Sequence, residues 1–340
     1  MTDAPNVYFA PPLHKRILYA LIVFILQKLV IGPATALRRL REARNPPETY
    51  PTLIRVYNSR RHLPLRIFFP KSYDRSAPRA SALVVSLNYA KAPANPFPGQ
   101  TADIVALFDA VLADAELLPH IDLSRVGMMG FSAGGTLALT AAATPAVRGR
   151  LTAGVVPVYP IVDFSIPRPE KAKTRRYKPA LGGVRGATED SLNGIAPAFG
   201  WAYLPDGQDL RDPRLSPSFN DRKDFPRRIW FVGCELDVLG HETWRMACRF
   251  AGKREPAMDE PIGQQDLADE GARGAIIVEG DERFAWEVKD EEGEVKWLCV
   301  ADAAHGFDSA EMMGADEETV QDGLMKRDKL ITMTGKWLFA

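Results

Sequence analysis

The sequence predicts an α/β protein: a mostly parallel sheet with helices packed on both faces. Three observations lead there. Short apolar runs of strand length recur along the chain, at 83–89, 126–129, 154–159, 228–233 and 295–300. Between them lie stretches with apolar residues at helical spacing, such as Ile104, Val105, Leu107, Phe108, Val111 and Leu112. And one run, 126–139, passes directly from strand to helix through Gly130-Phe131-Ser132-Ala133-Gly134. The 340 residues, 46% hydrophobic and 25% charged, suit one large domain with a lid, or two smaller domains.

Taken in order, residues 1–50 read as cap helices that end before Pro46-Pro47. The stretch 17–31 is strongly apolar but is broken by Gln27 and Lys28. Its uninterrupted part is shorter than the ~20 residues of a spanning helix. It has no basic stretch next to the initiator and no small-residue cleavage site, which argues against a secretory signal. We read it as an amphipathic helix packed on the body. The alternative is a helix lying on a membrane surface, aided by Arg38, Arg39, Arg41 and Arg44. The expected location is accordingly cytoplasmic, with membrane association tied to that alternative.

Residues 51–340 form the main domain. Two short strands are expected at 53–57 and 65–69, with Pro70 ending the second. The run 83–89 reads as a buried strand, and Pro93, Pro96 and Pro98 make a rigid loop after it. A helix is expected over 101–118. From 166 to 219 the chain turns rich in Pro, Gly and aromatics, as an inserted lid would be. Its basic run, Lys171-Ala172-Lys173-Thr174-Arg175-Arg176, is expected to be a solvated face. A helix at 241–250, an acidic surface excursion at 252–274, strands at 284–288 and 295–300, and a closing amphipathic helix at 317–338 complete the chain.

Charge and cysteine content exclude some functions. Lys plus Arg and Asp plus Glu balance at 43 each, so no net field draws the chain to nucleic acid. Cys234, Cys248 and Cys299 form no C-x-x-C and no paired framework, and the five histidines are scattered rather than clustered as metal ligands.

The strand-to-helix junction carries the chemistry. A strand turning straight into a helix strains its junction residue, so the flanking Gly130 and Gly134 are expected to be needed for want of a Cβ. Ser132 is lifted above the sheet edge, and the N–H of Ala133 points where an oxyanion would form. A serine hydroxyl needs a base, and the base needs an orienting carboxylate. In a parallel sheet these groups sit just past the C-terminal strand ends. Asp237 follows the strand ending near Gly233, and His305 follows the strand ending at Val300. Glu235 is the nearest rival of Asp237, with Glu242 and Asp302 behind.

The chain resembles the hormone-sensitive-lipase-like esterases, the α/β hydrolase fold-3 family. The resemblance rests on Asn88-Tyr89-Ala90-Lys91-Ala92-Pro93 with Pro96-Phe97-Pro98, on Gly130-Phe131-Ser132-Ala133-Gly134-Gly135, on Gly233-Cys234-Glu235-Leu236-Asp237-Val238-Leu239 and on His305-Gly306-Phe307. It implies an α/β-hydrolase fold with an eight-stranded, mostly parallel sheet, and a cap from the N-terminal helices and the 166–219 insertion. It also implies hydrolysis of short to medium acyl esters through an acyl-serine intermediate, with no cofactor and a small-molecule ester as the partner. The same parts serve an amidase, lactonase or thioesterase, and a pocket of this kind can hold an apolar ligand without turnover.

One departure from the family pattern is large. The family places a strand ending in His-Gly-Gly before the 83–89 strand, and its glycine N–H groups supply most of the oxyanion hole. This chain has no His-Gly-Gly, and only thirteen residues separate Phe69 from Leu83. A central strand is therefore expected to be absent, with 83–89 pairing directly beside 126–129. A misplaced coding boundary and a true loss both yield this sequence.

Overall fold

Eight strands form in the computed structural model among the described residues, and they make two separate sheets rather than one. The structure describes residues 6–47, 50–70, 83–190, 192–263, 273–278, 280–312 and 314–340. They group into two units, Met1–Asp122 with Gly194–Asp209, and Leu123–Asn193 with Leu210–Ala340.

The first unit begins with one continuous helix, α1 (Leu13–Arg44), whose middle turns, Ile25–Ile31, widen to π-helix. It stops just before Pro46-Pro47, as proline chemistry requires. Of its residues only Val23 is buried. The expected packing on the body is thus confined to a narrow face, because Ala198, Trp201 and Ala202 offer little surface to cover so many large apolar side chains. Strands β1 (Leu53–Arg55), β2 (Leu65–Phe68) and β3 (Val84–Ser86) form an antiparallel sheet, with Leu53 opposite Ile67 and Ile67 opposite Val85. The alternation of β2 puts Leu65 and Ile67 inward against Leu107 and Val111 of α2 (Gly99–Leu112).

Two expectations fail at β3. It is not buried: Val84 is 57% exposed. Nor does it pair with the strand before Ser132; its ladder runs antiparallel to β2. The apolar run reported a strand faithfully, but an apolar run does not say which neighbour it finds. The oxyanion segment expected to be missing falls between Pro70 and Leu83, which lies outside the described residues, as does part of the acidic stretch at 252–274.

The second unit is built on β4 (Gly127–Phe131), β5 (Gly154–Val158), β6 (Arg228–Cys234), β7 (Ala285–Asp290) and β8 (Gly293–Val300), in the order β4-β5-β6-β8-β7. Four strands are parallel, and β7 returns antiparallel along β8. β5 is buried throughout, as a continuous Val-rich run in a parallel sheet should be. Helix α3 (Ala133–Ala142) packs on β4 and β5. The insertion contributes α4 (Arg168–Thr174) and the start of α5 (Leu192–Tyr203), whose residues from Gly194 belong to the first unit. Helix α6 (Gly240–Phe250) lies on β6 and β8. The closing helix α7 (Glu317–Leu338) brings Leu330 and Trp337 into a core with Val156, Trp230, Val232 and Leu298.

Candidate active site

The C-terminal ends of β4, β6 and β8 converge within the second unit. Ser132 follows β4 and caps α3 with φ 51° and ψ −121°, a left-handed conformation rare for any residue but glycine. Its N–H donates to Val158 O at 2.9 Å, which ties the turn to β5. Gly130 is required there, since a Cβ would run into the carbonyl of Gly134. Gly134 itself would meet nothing among the described residues, so the expectation for it is corrected. The second sterically constrained glycine is Gly135, whose Cβ would come 3.1 Å from both Gly130 O and Val158 O. The close approach of helix to strand, rather than the turn, selects it.

Ser132 Oγ lies 2.8 Å from His305 Nε2, and His305 Nδ1 lies 2.8 Å from Asp237 Oδ2. The three residues singled out in the sequence are therefore brought into one hydrogen-bonded chain. Asp237 is fully buried, and its Oδ1 accepts from the N–H of Leu239 at 3.0 Å, which fixes the carboxylate plane. Burial pulls the His305 pKa down, but the adjacent Asp237 more than offsets this and holds it above the usual histidine value. The ring is also flanked by Tyr159, centroid to centroid 4.7 Å. Ala133 is exposed at the first position of α3, where a backbone N–H has no intrahelical acceptor.

The rival carboxylates have other partners. Lys178 Nζ donates to Glu235 Oε2 at 2.9 Å and to Asp302 Oδ1 at 2.5 Å, and Glu235 also accepts from the N–H of Asp302 at 2.8 Å. Glu242 accepts from the N–H of Val162 at 2.9 Å and pairs with Lys171; burial pushes its pKa up to about 7. Asp190 accepts from the N–H of Val238 at 3.2 Å and faces Arg175, whose Nε donates to Leu236 O at 2.9 Å.

These contacts overturn the solvated reading of the basic run. Arg175 is buried, Lys171 nearly so, and Lys178 just beyond the run is buried too; Lys173 alone among these four keeps an exposed side chain. Arg175 and Lys178 grip the loop that carries Asp237. Sequence reasoning missed them, although one signal was present. Glu235, Asp237 and Glu242 crowd one strand end, and acids buried that densely require cations from elsewhere.

Tyr159 was missed as well. It follows β5 with φ 38°, its N–H donates to Val232 O at 2.7 Å, and its hydroxyl donates to Asp308. Ser132, Tyr159 and Asp302, each just past a parallel strand, are the non-glycine left-handed residues among those described. Among the described residues no group of three or more His, Cys, Asp and Glu is placed to hold a metal ion.

A family model described as alpha/beta hydrolase fold matches residues 71–259. Among solved structures, an esterase of Pyrobaculum calidifontis is 17% identical with a TM-score of 0.59, covering 97% of this chain and 98% of its own. An alpha/beta hydrolase from the metagenome of Lake Arreo, Spain, is 18% identical with a TM-score of 0.57, covering 90% and 89%. A fungal esterase of Rhizomucor miehei is 15% identical with a TM-score of 0.57, covering 97% of each chain. At these identities the likeness shows the fold alone. No curated protein matches the chain.

Proposed function

We propose, from the premise that the chain belongs to the alpha/beta hydrolase fold family, that it is a serine hydrolase of carboxylic esters with short to medium acyl chains. The observation that carries this reading is the unbroken hydrogen-bonded chain from Ser132 through His305 to Asp237. Neutral His305 accepts the Ser132 proton at Nε2 as Oγ attacks the ester carbonyl carbon. Asp237 holds the Nδ1–H tautomer and stabilises the imidazolium. The tetrahedral intermediate collapses, His305 protonates the departing alcohol, and water repeats the sequence to free the acid from Ser132.

The N–H of Ala133 is the donor we assign to the developing oxyanion. Each donor missing from such a hole costs on the order of 10²–10³ in turnover. With no His-Gly-Gly in the chain, the expected rate is low. That same absence favours the second reading, a pocket protein that holds an apolar ligand without turnover. Hydrolysis of p-nitrophenyl butyrate by the wild type and by Ser132→Ala separates the two. Hydrolysis above the Ser132→Ala background supports the esterase. Equal rates, together with no labelling of Ser132 by a fluorophosphonate, refute it.

A further inference from the structure

Most of the apolar surface of α1 is left uncovered by the described residues of its own unit. Val23, Tyr19 and Ile22 pack on Ala198, Trp201 and Ala202, and Gln27 Nε2 donates to Ala92 O at 2.8 Å. The opposite face presents Leu13, Ile17, Leu18, Leu21, Phe24 and Ile25 to solvent, all of them exposed large apolar side chains. By length and composition the helix could cross a bilayer. Its docking argues otherwise. Val23 and Gln27 sit in the middle of the apolar stretch, so a spanning pose would carry the Ala92 carbonyl and its proline-rich loop into hydrocarbon, where irregular backbone exposed to lipid is not tolerated. Lys28 would sit near the bilayer centre at further cost.

We infer that α1 lies in the plane of an anionic lipid leaflet, its uncovered face inserted among the acyl chains and its cations on the headgroups. The charge pattern selects this occupant. Lys15 and Arg16 flank the apolar face at one end, and Arg39, Arg41 and Arg44 at the other, all exposed. Glu42 is the acid in this helix, and it is paired with Arg38. A second copy would set cation against cation whether the two helices ran parallel or antiparallel. An anionic surface meets both ends favourably. The inference does not depend on the esterase reading.

The experiment is flotation of the full chain with vesicles of phosphatidylcholine, alone or with phosphatidylserine added. We expect binding that the anionic lipid strengthens and high salt weakens. Combining Leu21→Glu with Ile25→Glu should abolish flotation with both vesicle types. Combining Arg39→Gln, Arg41→Gln and Arg44→Gln should cut the phosphatidylserine gain by on the order of 10²-fold and leave binding to phosphatidylcholine alone unchanged. Thermal melts matching the wild type show that each variant is folded. The inference is overturned by no flotation with either vesicle, by binding indifferent to anionic lipid, or by a dimer in sizing chromatography that the glutamate variant dissociates. Resistance to alkaline carbonate extraction would overturn the in-plane pose in favour of a spanning one.

Discussion

Two basic runs in this chain look alike and meet opposite fates. Residues 38–44, rich in arginine, and 171–178, rich in lysine and arginine, both lie at or just beyond a helix C-terminus. In the first, the arginines are exposed on α1, with one surface ion pair between Arg38 and Glu42. In the second, Arg175 and Lys178 are buried against Glu235, Asp302, Asp190 and the backbone of Leu236. A charge run does not fix its own environment. What draws a run inward is set by partners elsewhere in the chain: Arg175 and Lys178 meet Asp190, Glu235 and Asp302, whereas the buried Asp103 of the first unit is taken by Arg60.

Lys178→Met leaves Glu235 and Asp302 buried without their shared cation and should cost ~3–5 kcal/mol in a urea titration, with loss of ester hydrolysis as the loop bearing Asp237 shifts. A neutral result would make the buried run equivalent to the exposed one. The apolar helices extend the contrast. Leu139 of α3 is fully buried, and Leu139→Ala should cost ~2–5 kcal/mol by the same titration. Leu21→Ala, on the uncovered face of α1, should stay within ~0.5 kcal/mol in the absence of lipid. A larger loss there would mean that the chain itself covers this face. Arg41→Gln should be as small, since an exposed charge contributes little to folding.

The pH profile sharpens the picture at the site. The raised His305 pKa means that the neutral, base-competent ring is lost as pH falls through a value above ~6.5. The acid limb of kcat/KM should therefore lie above that value, and Asp237→Asn should move it downward while lowering the rate. An unmoved limb would assign it to another group.

Much of the second unit was legible in the sequence because its signals are local. The runs at 154–159, 228–233 and 295–300 became β5, β6 and β8 within a residue or two, and the glycine-flanked Ser132 announced its own turn. The order of Ser132, Asp237 and His305 was readable as well. What was not legible depends on partners distant along the chain. β3 found β2 rather than β4, Arg175 and Lys178 found acids, and Gly135 rather than Gly134 proved sterically constrained because β5 runs so close to α3. The helix α1 was legible as a helix but not as an uncovered one, since apolar composition states a need for cover without saying what supplies it.

The three left-handed residues at the strand ends bear on how this molecule can be made tougher. Each holds back of order 1–3 kcal/mol, and replacing any of them by glycine would release some of it. Yet Ser132 carries the hydroxyl, Tyr159 flanks the imidazole, and Asp302 receives Lys178. Heat tolerance gained at these positions would be taken from the crevice itself, so engineering for durability belongs on the outer surface and leaves these three tense joints alone.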